Sequence, residues 1–218
     1  MKNPSLDRVF LFLSSFIFLQ LSVQAQYGLF HQEYDKTAQF NIDADDVKQY
    51  RKEGELIIFN EEKHRTNLAL SLLDKKVGKD IEQETPTRLR TYEVIADTEI
   101  DHHRLRYIFI NGNKLSQKMV KNRINYIKQL LNDSASFETV AHQYSMDRNA
   151  RRGGDSGWFK KAETYPVFYK AIANENRYAN EVFEVSIPEN DWYYLVKKTF
   201  SPKPIREVLI FKKVERRR

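Results

Sequence analysis

Apolar positions along this chain fall into a few segments with clear rhythm, separated by polar stretches without one. Glu55–Phe59 reads as a short strand. Asn67–Val77 has helical apolar spacing and ends near Gly78. Glu82–Arg90, polar and carrying Pro86, reads as a linker, and Thr91–Thr98 as a short strand. From Arg104 the pattern sharpens. Arg104–Ile110 is β-rich and ends at the turn signal Asn111-Gly112-Asn113. Lys114–Leu131 predicts a helix, with Leu115, Met119, Ile124, Ile127 and Leu131 on one broad face. Ser136 is placed to cap a second helix over Phe137–Tyr144, with Phe137, Val140 and Ala141 inward. Pro166 suits the first turn of a third, Val167–Ala173. Val182–Val185, Trp192–Lys197 and Glu207–Val214 predict three further strands. Strand, helices, loop and strand pair make an α+β unit with a mainly antiparallel sheet.

The first residues behave differently. Lys2 and Arg8 precede an apolar run from Val9 to Leu21, and Val23-Gln24-Ala25 closes it with small residues. This is the form of a secretory signal peptide, cut after Ala25. The run is shorter than the roughly 20 apolar residues that span a bilayer. The chain therefore divides into a signal peptide (1–25), an N-terminal region (26–101), a central domain (102–200) and a C-terminal strand with a basic tail (201–218). The expectation is an exported protein with no stable membrane insertion once the leader is removed.

Charge and composition narrow the chemistry. Among 218 residues there is no cysteine, which excludes thiol catalysis, thiolate metal sites and dithiol redox work. A chain of this length buries enough apolar surface to fold without disulfides. The net charge of +6 falls to +5 without the leader, and in an exported protein it reads as a solvated surface rather than a nucleic-acid footprint. Three of the seven glycines (Gly153, Gly154, Gly157) lie within five residues, yet no Lys-Ser or Lys-Thr pair follows to make a phosphate loop. His102-His103 would point to opposite faces of a strand, and no motif supplies further metal ligands. Arg148, Arg151, Arg152, Lys160 and Lys161 gather around the same loop. They read either as a solvated face or as a preference for acidic residues in a ligand.

One spaced set of residues is specific. Phe137-Glu138-Thr139-Val140-Ala141, Tyr144-Ser145, Gly153-Gly154-Asp155-Ser156-Gly157-Trp158-Phe159 and Pro166-Val167-Phe168 together resemble the parvulin family of peptidyl-prolyl cis-trans isomerases. The strands at Arg104–Ile110 and Trp192–Lys197 fit that family's first and last. The resemblance implies a four-stranded antiparallel sheet flanked by helices, here preceded by a small N-terminal region. It implies catalysis without cofactor or metal, acting on unfolded or proline-containing polypeptide segments, and it suits a periplasmic location.

The resemblance also assigns residues. It places the acidic group after the second helix on Asp147 and the aromatic wall of the proline pocket on Phe168. The family's two histidines fall on Tyr107 and on Tyr194, or on Tyr193 if the register slips by one. Ser156 and Thr164 stand where the family has apolar pocket residues, and Trp158-Phe159 shape the same pocket. Two polar residues for two apolar ones remove roughly 2–4 kcal/mol of burial from a bound proline. The implied roles are thus Asp147, Tyr107 and Tyr194 as catalytic groups, with Phe168, Thr164, Ser156, Trp158 and Phe159 binding substrate. The alternatives are a catalytically weak binding or chaperone module, or a scaffold in an envelope assembly.

Overall fold

A computed structural model describes residues 35–217. The expected leader over residues 1–25 lies outside them. In chain order the elements are helix α1 (Ala44–Glu53), strand β1 (Glu55–Asn60), α2 (Asn67–Leu73), β2 (Asp80–Thr85), β3 (Arg88–His103) and β4 (Arg106–Asn111). There follow α3 (Gln117–Asn132), α4 (Phe137–Tyr144), β5 (Phe159–Lys160), α5 (Pro166–Ile172), β6 (Val182–Ile187), β7 (Trp192–Lys197) and β8 (Lys203–Arg216). The chain separates into two compact units: residues 103–201, and residues 35–102 together with 202–217.

The central unit is a three-layer sandwich. Its sheet runs in the order β4-β7-β6, antiparallel throughout, with Tyr107 opposite Val196 and Phe109 opposite Tyr194. Alternation along the strands builds two cores. On one face Tyr107, Phe109, Trp192, Tyr194, Val196, Phe183 and Val185 pack against Phe168 and Ile172 of α5. On the other, Ile108, Ile110 and Leu195 meet Val120, Ile124 and Ile127 of α3 and Phe137, Val140 and Ala141 of α4. The fourth position beside β4 is taken by a single antiparallel bridge, Arg106 to Asp155.

The α3 stripe differs from the expected one. Met119 is exposed, and Leu115 lies before the helix begins. Val120, Ile124 and Ile127 recur at i, i+4 and i+7, whereas Met119 sits about 100° away from Val120 around the axis. Ser116 caps this helix by accepting from Met119 N, and Ser136 caps α4 by accepting from Thr139 N.

In the other unit four strands run in the order β1-β8-β3-β2, all antiparallel. Leu72 and Leu73 of α2 pack on Tyr92, Val94, Val208 and Ile210. Residues 82–90 are not the expected linker: they are most of a hairpin, with Glu82 opposite Thr91 and Thr85 opposite Arg88. Pro86 occupies the turn, where its fixed φ is an asset. Thr85 Oγ1 closes it, donating to the Arg88 carbonyl and accepting from Arg88 N. The strand escaped the sequence pattern because β2 is mostly exposed on both faces, so nothing in it alternates. Helix α2 stops at Leu73, short of Val77, because Asp74, Lys75 and Lys76 give the sheet nothing apolar to hold.

Helix α1 was not legible as an apolar stripe, since only Val47 is buried. Its charges mark it instead: Asp43 caps it, Asp45 and Asp46 open it, and Arg51 and Lys52 close it. A buried polar cluster joins β1, β3 and β8. Asn60 Nδ2 donates to Glu207 Oε1 at 2.7 Å and lies 3.2 Å from His102 Nε2. Among the described residues no group of three or more acidic or histidine side chains is arranged to hold a metal ion.

Gly154 holds the glycine loop against β4. Its φ is +79°, its carbonyl accepts from Tyr107 N at 2.9 Å, and a Cβ there would lie 2.5 Å from the Tyr107 carbonyl oxygen. Gly154→Ala is expected to cost more than about 2 kcal/mol, since left-handed backbone alone costs roughly 1–2 in an L-residue. Urea unfolding of the wild type and the variant, compared at constant slope, measures it.

Candidate functional site

The site is built on the edge of β4 not paired with β7. Chain leaving α4 runs alongside that edge and takes both backbone groups of Phe109. Ser145 Oγ accepts from Phe109 N at 2.9 Å, and Met146 N donates to Phe109 O at 2.8 Å. This docking brings the next residue, Asp147, beside Tyr107, two positions earlier on the strand. Tyr107 Oη donates to Asp147 Oδ2 at 2.8 Å. The other carboxylate oxygen accepts from Ser145 Oγ at 3.0 Å and from Asn149 N at 3.1 Å.

Next to this pair lies an aromatic cluster. The Tyr194 ring is edge-on to Tyr107 at 5.8 Å and to Phe168 at 5.3 Å between centroids. Pro166 starts α5 so that Phe168 falls on its inward side. Phe159 belongs to the same core. The β4–β7 register settles which tyrosine shares the face of Tyr107. It is Tyr194; Tyr193 points the other way and donates its hydroxyl proton to Asp191 at 2.8 Å.

Tyr107, Asp147, Tyr194 and Phe168 therefore come together, with Phe159 in the same core. Three further residues from the sequence reading have contacts of their own. Ser156 Oγ accepts from Leu105 N and donates to the Gly157 carbonyl. Thr164 is buried and donates to the Lys161 carbonyl at 3.2 Å. Trp158 packs on Phe200 with centroids 5.9 Å apart. The aromatic cluster is also closed: Phe168 is 0% exposed, Tyr194 1% and Tyr107 2%.

Two residues essential to this geometry were given no role from sequence: Ser145, quoted only as part of the family motif, and Asn149. Asn149 is buried and its Nδ2 donates to the Gly154 carbonyl at 2.9 Å, tying the loop after Asp147 to the glycine segment. Their signal was the alternating Ser145-x-Asp147-x-Asn149, short polar residues that favour local backbone hydrogen bonds.

Burial sets the electrostatics. It pushes the Asp147 carboxyl above its ordinary range, against the hydrogen bonds from Tyr107, Ser145 and Asn149 that favour the charge. It drives both tyrosine hydroxyls well upward, and the nearby Asp147 charge adds to the effect. Both hydroxyls thus keep their protons at physiological pH. Their hydrogen bonding differs. The single Tyr107 proton is committed to Asp147, whereas Tyr194 Oη is buried with no hydrogen-bond partner. An oriented carboxylate, a committed hydroxyl and an uncommitted donor meet at one aromatic surface. That set is suited to binding a polar group carried on an apolar ring.

Residues 92–199 match the family model of the PPIC-type PPIase domain. These residues carry a domain of this parvulin-type peptidyl-prolyl isomerase family, and the α+β fold with antiparallel sheets agrees with the expected class. Chaperone SurA of Methylobacillus flagellatus is 36% identical over 90 residues, covering 41% of this chain and 20% of that one. Chaperone SurA of Colwellia psychrerythraea is 26% identical over 126 residues, 52% of this chain and 29% of that one. The chain thus spans between a fifth and a third of the length of these two relatives. PrsA from Bacillus subtilis, a solved structure, aligns at 26% identity over 46% of this chain and 35% of that one, with a TM-score of 0.36.

A carboxyl whose pKa is raised on folding favours the folded state most at low pH and loses that contribution as pH rises through the folded value. Asp147→Asn removes this titration while keeping an amide to serve Tyr107, Ser145 and Asn149. Relative to the wild type, its melting temperature should therefore climb as pH is raised from about 4 to 7. Melting curves across that range give the difference; a constant offset between the two proteins would contradict the assignment.

Proposed function

We propose that the chain is an exported parvulin-type prolyl isomerase acting on unfolded or partly folded polypeptides. Rotation about an X-Pro bond faces a barrier of about 18–20 kcal/mol because resonance stiffens the amide. Lowering it requires no covalent step: the enzyme needs to hold the ring and favour the twisted amide over both planar forms. Phe168 and Phe159 supply the apolar contact for the ring. Tyr194 Oη donates to the prolyl nitrogen, whose lone pair is released and becomes an acceptor as resonance is lost. Asp147, oriented by Ser145 and Asn149, holds the Tyr107 hydroxyl in place and supplies negative charge on the other side. Among the described residues no helix is long and apolar enough to cross a membrane, and the export reading rests on the sequence of residues 1–25.

The observation that carries this reading is the Tyr194 hydroxyl, buried without a partner against Phe168 and Tyr107. A buried donor left unpaired costs roughly 1–3 kcal/mol, which a ligand acceptor would recover. A second reading also has an observation behind it. Phe168 has no open surface, so a proline enters only when α5 yields, and a domain that stays closed would grip segments elsewhere without rotating them. Protease-coupled or NMR-exchange assays on X-Pro tetrapeptides separate the two. Isomerisation above the spontaneous rate, lost in Asp147→Ala, supports the first. Binding of an unfolded protein without rate enhancement supports the second.

Tyr194→Phe makes a sharper test, because it removes only the oxygen. The variant should be as stable as the wild type or more so, by up to about 2 kcal/mol, since an unpaired polar atom is deleted. Its kcat/KM should nonetheless fall about tenfold or more, as expected when a preorganised donor to a developing charge is lost. Equal activity in the two proteins would remove Tyr194 from the mechanism.

A further inference from the structure

The 3-10 turn that follows Asp147, Arg148–Arg152, carries three arginines in five residues, all exposed at the surface. The backbone of this turn is fixed relative to the site. Asp147 caps its start, Gly153 ends it at φ +59°, Gly154 N donates to the Asn149 carbonyl at 3.0 Å, and Asn149 Nδ2 holds the Gly154 carbonyl. Arg152 is held as well, its Nε and one terminal nitrogen both donating to Asn149 Oδ1 at 3.1 and 2.6 Å. That grip turns the guanidinium without neutralising it, because an amide oxygen carries no net charge. Its field still reaches the Tyr107 hydroxyl, where it opposes the upward pKa shift. Arg151 makes no side-chain hydrogen bond or ion pair among the described residues, and neither Arg151 nor Arg152 meets a carboxylate there. Elsewhere in the same unit arginines find acids: Arg104 pairs with Asp155, Arg106 with Glu138 and Arg177 with Glu181.

We propose that Arg151 and Arg152 form a cationic rim that selects polypeptides carrying Asp or Glu side chains beside the segment held at the site. This rests on the reading of the Asp147–Tyr194 cluster as a polypeptide-binding site, and it names the chemistry of the segment bound there. The guanidinium groups recognise carboxylate geometry with paired N–H donors, and Asn149 leaves the second terminal nitrogen of Arg152 unengaged for that purpose. The carboxylate of Asp147 is turned inward by Tyr107 and Ser145, so it does not cancel the rim.

The test uses residues 26–218 and tetrapeptides with Glu, Ala or Lys placed before or after the proline. Both isomerisation rate and binding by fluorescence anisotropy are read. In at least one placement Glu should exceed Lys by about fivefold at low salt, the size expected of one or two exposed ion pairs. The ratio should shrink toward one at about 0.5 M salt. Arg151→Glu/Arg152→Glu should invert it, and Arg151→Gln alone, which disturbs no hydrogen bond, should reduce it. Equal binding and rates for Glu and Lys peptides in every placement, or a preference that survives the charge reversal, overturns the proposal. No isomerisation of any peptide would overturn the catalytic reading of the site, while the binding series would still decide the charge preference.

Discussion

The free edge of β4 is the constraint on which the central unit depends. An unpaired strand edge presents backbone donors and acceptors that must be satisfied or covered. Among the described residues no fourth full strand does this. Ser145 and Met146 take the two groups of Phe109, Gly154 takes the amide of Tyr107, and Ser156 takes both groups of Leu105. The loop from α4 to the glycine segment is therefore stitched to the strand at successive alternate residues. Asp147 is where it is because the chain on either side of it is already bonded. A carboxylate placed this way needs no separate scaffold, and its elevated pKa is the direct result of the edge being closed over it.

The other unit solves a similar problem differently. Its two long strands, β3 and β8, pair along most of their length, with one register shift between Val94 and Ala96. Asn60, His102 and Glu207 sit buried where β1, β3 and β8 meet. The Asn60 amide is oriented by its own oxygen, which accepts from Glu62 N and Lys63 N. Its nitrogen must then face Glu207 and His102, so every member of the cluster has a defined partner. Buried polar groups satisfied in this manner specify one arrangement of strands at little net cost.

How much of this was legible in the sequence depended on whether a segment's partners were side chains or backbone. Helix α4 and strand β7 match their expected spans because their inward residues repeat with the period of their own secondary structure. Strand β2 and helix α1 were missed because neither buries an apolar stripe; one is held by a ladder, the other marked by end charges. At the candidate site, Tyr107, Asp147 and Phe168 were named through the family resemblance rather than through periodicity. The choice between Tyr193 and Tyr194 was open in the sequence, because adjacent tyrosines differ only in the face they take, and that is set by pairing with Phe109. Ser145 and Asn149 were given no role for a related reason: much of their bonding is to main-chain atoms, and main-chain atoms leave no letter in a sequence.

Strand β8 lies between β1 and β3 in its sheet, yet it is contributed by residues that follow the whole central unit. During synthesis, residues 103–201 emerge as one uninterrupted stretch and can collapse while β1 and β3 still wait for the strand that joins them. The flanking sheet is thus the last to close. A nascent chain stalled before residue 203 would carry a finished insert on two strands with no common neighbour, and a passing chaperone or protease would meet it in that condition.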